Sequence, residues 1–242
     1  MVPESASPFT EPPRHYMGRE LELFAAAHRW RAYWGSKVAP FLGQRVLEVG
    51  AGIGSNALAL HRAGLADWLA VEPDPELADR FLERTAALQP RPRVHRGTLE
   101  SLRGEAPFDA ALYIDVLEHV DDDADAVARA AACLRPGGHL LALSPGHPSL
   151  YSAFDKAIGH VRRYTLKGLE QLVGRHCTVI AAMHLDSVGA LLSLGNRMLL
   201  HAAEPTRRQL AFWNGVCVPL SRLVDPLVGH RLGRSVLVVG RR

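Results

Sequence analysis

A short apolar strand that runs directly into a glycine-rich turn is the feature of this sequence that most constrains its fold. Residues 46–54 read VLEVGAGIG, and Ser55 and Asn56 then open a helical pattern. Glycine lets the backbone approach a ligand closely because no Cβ intervenes. The first turn of the following helix aims unpaired N–H groups at the same place. The segment therefore predicts a strand, a ligand-binding turn and a helix, in that order.

Apolar runs and helical patterns alternate along most of the chain. The predicted strands are 45–49, 68–71, 93–95, 108–114, 139–143, 178–184 and 235–240. The predicted helices lie within 20–41, 55–63, 75–88, 122–134 and 166–175. This alternation predicts an α/β fold, doubly wound, with a mostly parallel sheet and helices on both faces. Ligands of such sheets bind at the carboxyl ends of the strands.

Composition and charge exclude several classes of protein. Of the 242 residues, 48% are hydrophobic, which suffices for a sizeable core and excludes extensive disorder. The three cysteines, Cys133, Cys177 and Cys217, form no CxxC pair, so we expect neither a disulfide framework nor a structural zinc knuckle. The formal net charge is +3 and no Lys/Arg run exceeds two residues, so we expect no nucleic-acid partner.

The amino-terminal and most apolar segments bear on localisation. Residues 1–18 are polar and proline-rich and lack the basic and apolar regions of a signal peptide, so we expect a short disordered lead. Residues 187–203 are interrupted by Asn196 and Arg197 and fall short of the roughly 18 apolar residues of a membrane span. We expect a cytoplasmic protein with no membrane span.

Three further motifs follow the glycine turn in register. Glu72 closes the second strand, where an acidic side chain can accept hydrogen bonds from both hydroxyls of a ribose. FDAALYIDVLEHV spans 108–120, and LRPGGHLLAL spans 134–143. This set closely resembles class I S-adenosylmethionine-dependent methyltransferases over residues 45–145. The resemblance implies S-adenosyl-L-methionine as cofactor and a seven-stranded Rossmann-like sheet with an antiparallel last strand.

The resemblance also implies which residues bind the cofactor. Glu48 and the glycine turn match the pocket for the methionine end, and Glu72 matches the ribose ligand. Pro73 and the loop after the third strand match the surroundings of the adenine, and Asp115 matches the border of the sulfonium. The full set is Glu48, Gly50, Ala51, Gly52, Gly54, Glu72, Pro73, Thr98, Leu99, Asp115 and Val116.

A block rich in histidine, arginine and tyrosine follows the fifth predicted strand. It resembles a subset of methyltransferases with a D…GHxRRY signature, here Asp155 and Gly159–Tyr164. Arg162 and Arg163 could hold an anionic acceptor, because guanidinium forks suit phosphate and carboxylate groups. The predicted acceptor-binding residues are Tyr151, Asp155, Arg162, Arg163 and Tyr164.

Three histidines are candidate general bases, since imidazole can remove a proton from an acceptor hydroxyl. They are His119, His147 and His160. A role in the fold is open for His119, and locking of the loop is open for His147 and His160. Asp155 and Arg163 could likewise form an internal salt bridge. A metal site from Glu118, His119, His147 and His160 is conceivable, but these residues lack a short ligand spacing such as HxxxH, so we predict no metal site.

Two apolar helices, at about 188–203 and 209–228, precede the last strand and carry more apolar residues than one amphipathic face requires. They indicate a cap packed on the sheet, a homodimer surface or an apolar wall for a greasy acceptor. With Arg162 and Arg163, they motivate a hypothesis of a lipid-like acceptor with an anionic group and an apolar body. Peripheral membrane contact through the cap follows as an expectation.

We therefore predict a single methyltransferase domain over residues 19–242. Its parts are a helical lid (19–43), a cofactor-binding core (45–185), an apolar helical cap (187–230) and a last strand (234–240). The predicted reaction is in-line methyl transfer to a small-molecule or lipid-like acceptor, with O-methylation favoured over N- or C-methylation. The alternatives are a non-catalytic nucleotide-binding partner subunit and a nicotinamide-dependent reductase, against which Ser55 in place of the third fingerprint glycine argues.

Overall fold

The computed structural model describes residues 21–22, 24–105, 107–199 and 206–242, with the backbone alone for 195–199. The predicted lead and the predicted end of the first cap helix, 200–203, lie outside the described residues. The strands are β1 (Arg45–Val49), β2 (Asp67–Glu72), β3 (Arg93–Arg96), β4 (Phe108–Ile114), β5 (Leu134–Pro145), β6 (Thr178–Leu185) and β7 (Ser235–Arg241). The helices are α1 (His28–Val38), α2 (Ser55–Leu60), α3 (Pro75–Thr85), α4 (Asp123–Cys133), α5 (Ala153–Ala157), α6 (Leu166–Gly174), α7 (Ser187–Leu199), α8 (Arg207–Phe212) and α9 (Val218–Leu227).

The strands form one seven-stranded sheet in the order β3-β2-β1-β4-β5-β7-β6. Strands β1 to β5 pair in parallel, and β7 runs antiparallel between β5 and β6. The predicted α/β class, the Rossmann-like sheet and the antiparallel last strand are therefore confirmed. The order reverses between β1 and β4, and the carboxyl ends of these two strands mark the crevice where such sheets bind ligands.

Both faces of the sheet are covered, because its central strands are apolar on both sides. One face packs against α1, α2 and the segment after α7, with Trp34, Leu60 and Trp213 in a shared buried cluster. The other face packs against α4 and α6, with Val127 and Leu169 in a second cluster. Most residues of β1 and β4 are buried, and the apolar runs that this burial requires allow both strands to be predicted from the sequence.

Strand β5 begins earlier than its predicted bounds of 139–143. The Arg135–Gly138 segment does not form a free turn after α4. Instead, the pairing between β4 and β5 shifts register between Phe108 and Ala110, which accommodates the extra residues as a bulge. Gly137 donates its N–H to the carbonyl of Arg242, 2.8 Å away, so the segment is also held from the end of β7.

Helices α7, α8 and α9, with the π-helical turn Trp213–Cys217 between α8 and α9, form a layer that we call the cap. Two buried carboxylates fix it to the sheet. Asp225 accepts hydrogen bonds from the Tyr33 hydroxyl at 2.7 Å and the Asp186 N–H at 2.8 Å. Asp186 accepts from the Trp213 indole at 2.7 Å and the Ser221 hydroxyl at 2.8 Å. Within the described residues, no helix is long and apolar enough to cross a membrane.

Candidate active site

A cavity of about 250 Å³ opens at the carboxyl ends of β1, β4 and β5. One part of its wall comes from the glycine turn after β1, and Asp115 follows β4 at its floor. The opposite part comes from His160 and Arg163 of the loop after β5 and from Arg234, directly before β7. The cavity thus spans the crevice that the reversal of strand order creates.

The glycine turn is shaped for close approach. Gly50 and Gly52 have φ of 68° and 53°, a region that other residues rarely adopt. A Cβ on Gly50 would lie 2.7 Å from a methyl carbon of Val116, whereas a Cβ on Gly52 would first meet Leu21 at 3.5 Å. Gly50, Ala51 and Gly52 line the cavity, so their backbone faces a ligand directly.

Glu72 ends β2 beside this turn. Its carboxylate accepts the Gly52 N–H at 2.7 Å and the Asp74 N–H at 3.1 Å. Burial raises the pKa of Glu72, and these two backbone hydrogen bonds oppose that rise. Gly97 donates its N–H to the Glu72 carbonyl at 3.1 Å, which brings the exposed Thr98 of the loop after β3 to the same edge. The acid, the turn and this loop thus meet at one edge of the sheet and form a cradle of suitable chemistry for a nucleoside, whose binding there stays a prediction.

Asp115 stands where β4 ends, in the left-handed region with φ of 54°. Its N–H donates to the Leu143 carbonyl of β5 at 2.8 Å, which fixes the turn. The side chain reaches the solvent of the cavity although protein surrounds it. Burial raises the pKa of Asp115 to about 6, against the opposing charges of His160 and Arg234.

An oriented histidine lies on the other side of the cavity. His160 Nδ1 is 2.9 Å from Asp155 Oδ1, and its side chain is 8% exposed. Burial alone would raise the pKa of Asp155, but hydrogen bonds from His160, Arg163 and Ser152 hold it well below its usual range. An ionised carboxylate accepts hydrogen bonds only, so Nδ1 donates to Asp155, while Nε2 lies 4.0 Å from Glu118 Oε1.

Glu118, His119 and His160 come together next to this histidine. The rings of His119 and His160 meet edge to face with centroids 4.6 Å apart. Burial and the neighbouring His160 lower the pKa of His119 to about 4, so its ring is neutral at pH 7. One ligand atom from each of the three residues lies within 4.8 Å of the others, so the cluster could hold a metal ion. Linear spacing could not reveal this grouping, because His160 reaches it through the fold.

Comparisons with known proteins decide the family. A family model described as a methyltransferase domain matches residues 15–188, well over half of the chain.

The chain belongs to this methyltransferase family.

Its relatives and structural neighbours agree with that assignment. The ubiquinone biosynthesis O-methyltransferases of Xylella fastidiosa (strain 9a5c) and Methylocella silvestris are 40% identical over 109 residues and 42% identical over 108 residues. These matches cover 43% of this chain and 43% and 40% of the relatives, so the chain spans less than half the length of each.

Two solved structures share the fold. A geranyl diphosphate methyltransferase in complex with SAM has a TM-score of 0.63 at 14% identity, covering 96% of this chain and 93% of that one. A SAM-dependent methyltransferase from Thermotoga maritima, a possible histamine N-methyltransferase, has a TM-score of 0.61 at 20% identity, covering 93% and 95%. The chain carries a methyltransferase domain, and the glycine cradle beside Glu72 fits S-adenosylmethionine, the cofactor named for both neighbours. The reductase and non-catalytic alternatives gain no support from these matches.

Of the predicted cofactor residues, Gly50, Ala51, Gly52 and Asp115 line the cavity and the other seven do not. Two of those seven, Glu48 and Gly54, have structural duties in the methyltransferase. The carboxylate of Glu48 is 1% exposed and accepts hydrogen bonds from Asn56 and Trp68, each at 3.0 Å, which ties α2 and β2 to β1. Burial raises the pKa of Glu48 to about 7. A Cβ on Gly54 would lie 3.0 Å from the ring of Phe81 on α3, so glycine at this position leaves room for α3 to pack against the turn. Pro73 is exposed and Leu99 is half-buried near Glu72, and their contact with adenine stays a prediction.

The predicted anion-binding residues, Arg162 and Arg163, both form ion pairs with carboxylates of the methyltransferase itself. Arg162 donates to Asp123 at 2.7 Å and lies outside the cavity. Arg163 lines the cavity but makes a two-pronged contact with Asp155, at 2.8 and 2.9 Å. Each guanidinium thus has an intramolecular carboxylate partner, and acceptor binding by either arginine stays a prediction. The internal salt bridge left open for Asp155 is the arrangement that the structure shows.

Three further predicted residues serve the loop. His147 Nε2 lies 2.8 Å from the Gly233 carbonyl, and its ring stacks on His184, away from the cavity. The Tyr164 hydroxyl donates to Asp123 at 2.6 Å, which holds the loop against α4. The Tyr151 hydroxyl donates to the His160 carbonyl at 2.6 Å. This geometry favours neither a base role for His147 nor acceptor contacts for Tyr151 and Tyr164.

Arg234 is the functional candidate that sequence reasoning missed. Its guanidinium lines the cavity and lies 4.9 Å from the centre of the Trp213 ring. Among the described residues, that side chain makes no hydrogen bond or ion pair at contact distance. Burial lowers the pKa of Arg234, and the negative charge of Asp186 opposes that fall most strongly. The expected topology could have indicated Arg234, because an antiparallel last strand begins at the edge of the sheet where the parallel strands end.

We expect Gly50→Ala to destabilise the methyltransferase by about 3 kcal/mol, from the positive φ and the clash with Val116 together. Gly64→Ala is the matched control, since Gly64 has φ of 88° but nothing within 4 Å of a Cβ. It should cost only about 1 kcal/mol. Urea unfolding of both variants measures the difference. Equal losses would show that the contact with Val116 is unimportant.

Proposed function

We propose that this methyltransferase methylates a hydroxyl oxygen of an acceptor that combines an anionic group with an apolar body. The observation that carries the proposal is one cavity holding both an Asp155-oriented His160 and the Arg234 guanidinium. The names of the relatives support O-methylation, since they are ubiquinone biosynthesis O-methyltransferases. The acceptor itself is a proposal.

Methyl transfer to a hydroxyl requires that the acceptor be positioned against the methyl donor and that a base remove the hydroxyl proton. The bound cofactor supplies an electrophilic methyl group on a sulfonium. The glycine turn and Glu72 hold one reactant against the cavity wall, which turns an encounter into a positioned reaction. As the new O–C bond forms, the C–S bond of the cofactor would break and leave a neutral thioether, and His160 Nε2 would accept the hydroxyl proton. Asp155 stabilises the imidazolium that results, because its carboxylate already faces Nδ1.

The cavity wall suggests the acceptor's shape. Phe24, Trp30, Phe154, Ile158 and Trp213 supply apolar surface. Arg234 adds a cation enclosed by that surface, where attraction for an anion is stronger than in water. A guanidinium favours planar oxygen anions such as carboxylates or phosphates. An acceptor with a hydroxyl, an oxygen anion and an apolar body satisfies all three parts of the wall.

A matched pair of acceptors tests the proposal. One is a hydroxybenzoate with an alkyl chain, and the other is its methyl ester. We expect wild-type kcat/KM to favour the carboxylate, and Arg234→Gln to reduce that preference about 30-fold or more, as for loss of one partner of a buried charge pair. Arg175→Gln, at an exposed arginine that ends α6, is the charge-matched control and should keep the preference. A wild type that favours the ester, or an Arg234→Gln variant that weakens both acceptors equally, would contradict the anionic class.

A further inference from the structure

The outer side of the cap carries a line of exposed apolar side chains, which we call the apolar stripe. It consists of Phe212, Val216, Leu220, Leu223 and Leu227. Their spacing of four, four, three and four residues places them on one face of a continuous helical segment. Leu223 is 69% exposed and Leu227 is 85% exposed.

The stripe is not the core-facing side of an ordinary amphipathic helix. That side is separate and already buried, with Leu210, Trp213, Cys217 and Val218 in the core cluster. The segment is thus apolar on two opposite faces, whereas a surface helix normally turns a polar face to water. Helix α7, which packs beside α9, adds Leu191 at 68% exposed, together with Leu192 and Leu194. Exposed apolar surface of this extent marks an interaction site.

The exposed charges of residues 206–230 are all positive apart from His230, whose ring is half-buried. Arg207, Arg208 and Arg222 are exposed on the same helical segment as the stripe. Asp225 is the acid of residues 206–230, and it is fully buried. Residues 187–194 of α7 contain no charged side chain. The described part of the cap therefore offers apolar side chains and arginines to its surroundings, and no exposed carboxylate.

We propose that the cap docks onto the surface of a lipid bilayer containing anionic lipids. Apolar side chains in a helix lying in the interface enter the headgroup and acyl boundary, and arginines on its flanks bind anionic headgroups. A second copy of this chain fits less well. A two-fold interface sets a patch against itself, so these arginines would face arginines, and residues 187–194 and 206–230 offer no exposed acid to pair with them.

Docking would place the active cavity close to the lipid. Trp213 lines the cavity from the inner face of the segment whose outer face bears the stripe. Lipid binding is independent of the acceptor proposed above, because it concerns the other face of the cap. Failure of either proposal leaves the other standing.

Flotation of the full chain with vesicles tests the docking. We expect the wild type to float with vesicles of phosphatidylcholine and phosphatidylglycerol and to float poorly with phosphatidylcholine alone. Leu223→Glu/Leu227→Glu should weaken binding about tenfold or more, since both side chains lose apolar contact and add negative charge. Leu58→Glu, at a leucine 40% exposed on α2, is the matched control and should float like the wild type.

Circular dichroism and light scattering separate the outcomes. Both glutamate variants should retain the wild-type fold, because the replaced side chains are solvent-exposed. Wild-type protein that stays out of anionic vesicles overturns the proposal. So does a wild-type dimer that Leu223→Glu/Leu227→Glu converts to monomer while vesicle binding is unchanged, since the stripe would then be a contact between copies.

Discussion

Replacing His160 with alanine is expected to lower kcat for a hydroxyl acceptor about 10²–10⁴-fold, the usual contribution of a general base. The affinity for S-adenosylmethionine should change little, because the cofactor cradle is built from other residues: Gly50 and Gly52 of the turn after β1, and Glu72, which accepts the Gly52 N–H. Steady-state kinetics and calorimetric titration of the cofactor product measure the two quantities separately. A loss in kcat with intact cofactor binding is the signature of a group acting on the acceptor.

A control variant and two further measurements make this result specific. His176→Ala, at an exposed histidine just beyond α6, should leave kcat unchanged. An acceptor that is already ionised, such as a nitrophenolate, needs no base, so His160→Ala should affect it far less than a neutral hydroxyl. Chelation with EDTA tests the other use of the histidine. If EDTA abolishes transfer and a divalent cation restores it, Glu118, His119 and His160 act as metal ligands, and the base role is contradicted.

The sheet was predictable because its strands are short apolar runs stopped by glycine or charge. The predicted bounds of β1 and β4, 45–49 and 108–114, match the structure residue for residue. β5 was predicted too short, because proline and glycine in LRPGG look like a turn. A bulge and hydrogen bonds from the end of β7 keep that segment in the sheet instead. Those partners lie far away in sequence, where local pattern carries no information.

The glycine turn and the acid at the end of β2 could be recognised from sequence, whereas the partners of the arginines could not. A glycine turn and an acid at a strand end are local features with a fixed place in this topology. Whether an arginine is free to bind an acceptor depends on which carboxylates the fold brings next to it. Arg162 and Arg163 stand adjacent in the chain, yet one pairs with Asp123 of α4 and the other with Asp155. Arg234 shows no motif and enters the cavity because β7 runs antiparallel.

Asp155 links loop stability to catalysis, and its replacement should affect both. The carboxylate is 1% exposed and is shared by His160, Arg163 and Ser152. Asp155→Asn keeps the shape but leaves the Arg163 guanidinium, 13% exposed, without its partner. Breaking a buried pair in this way costs about 3–5 kcal/mol. We expect a fall in Tm of about 10 °C, by the usual scaling for a domain of this size.

The double variant Asp155→Asn/Arg163→Gln separates positioning from folding. It removes both members of the pair, so no unpaired charge stays buried, and much of the lost Tm should return. Activity should not return with it. The asparagine carries no charge to stabilise the His160 imidazolium, so kcat should stay depressed while KM for the cofactor is near the wild-type value. If kcat recovers in step with Tm, Asp155 only holds the loop, and His160 does not depend on it.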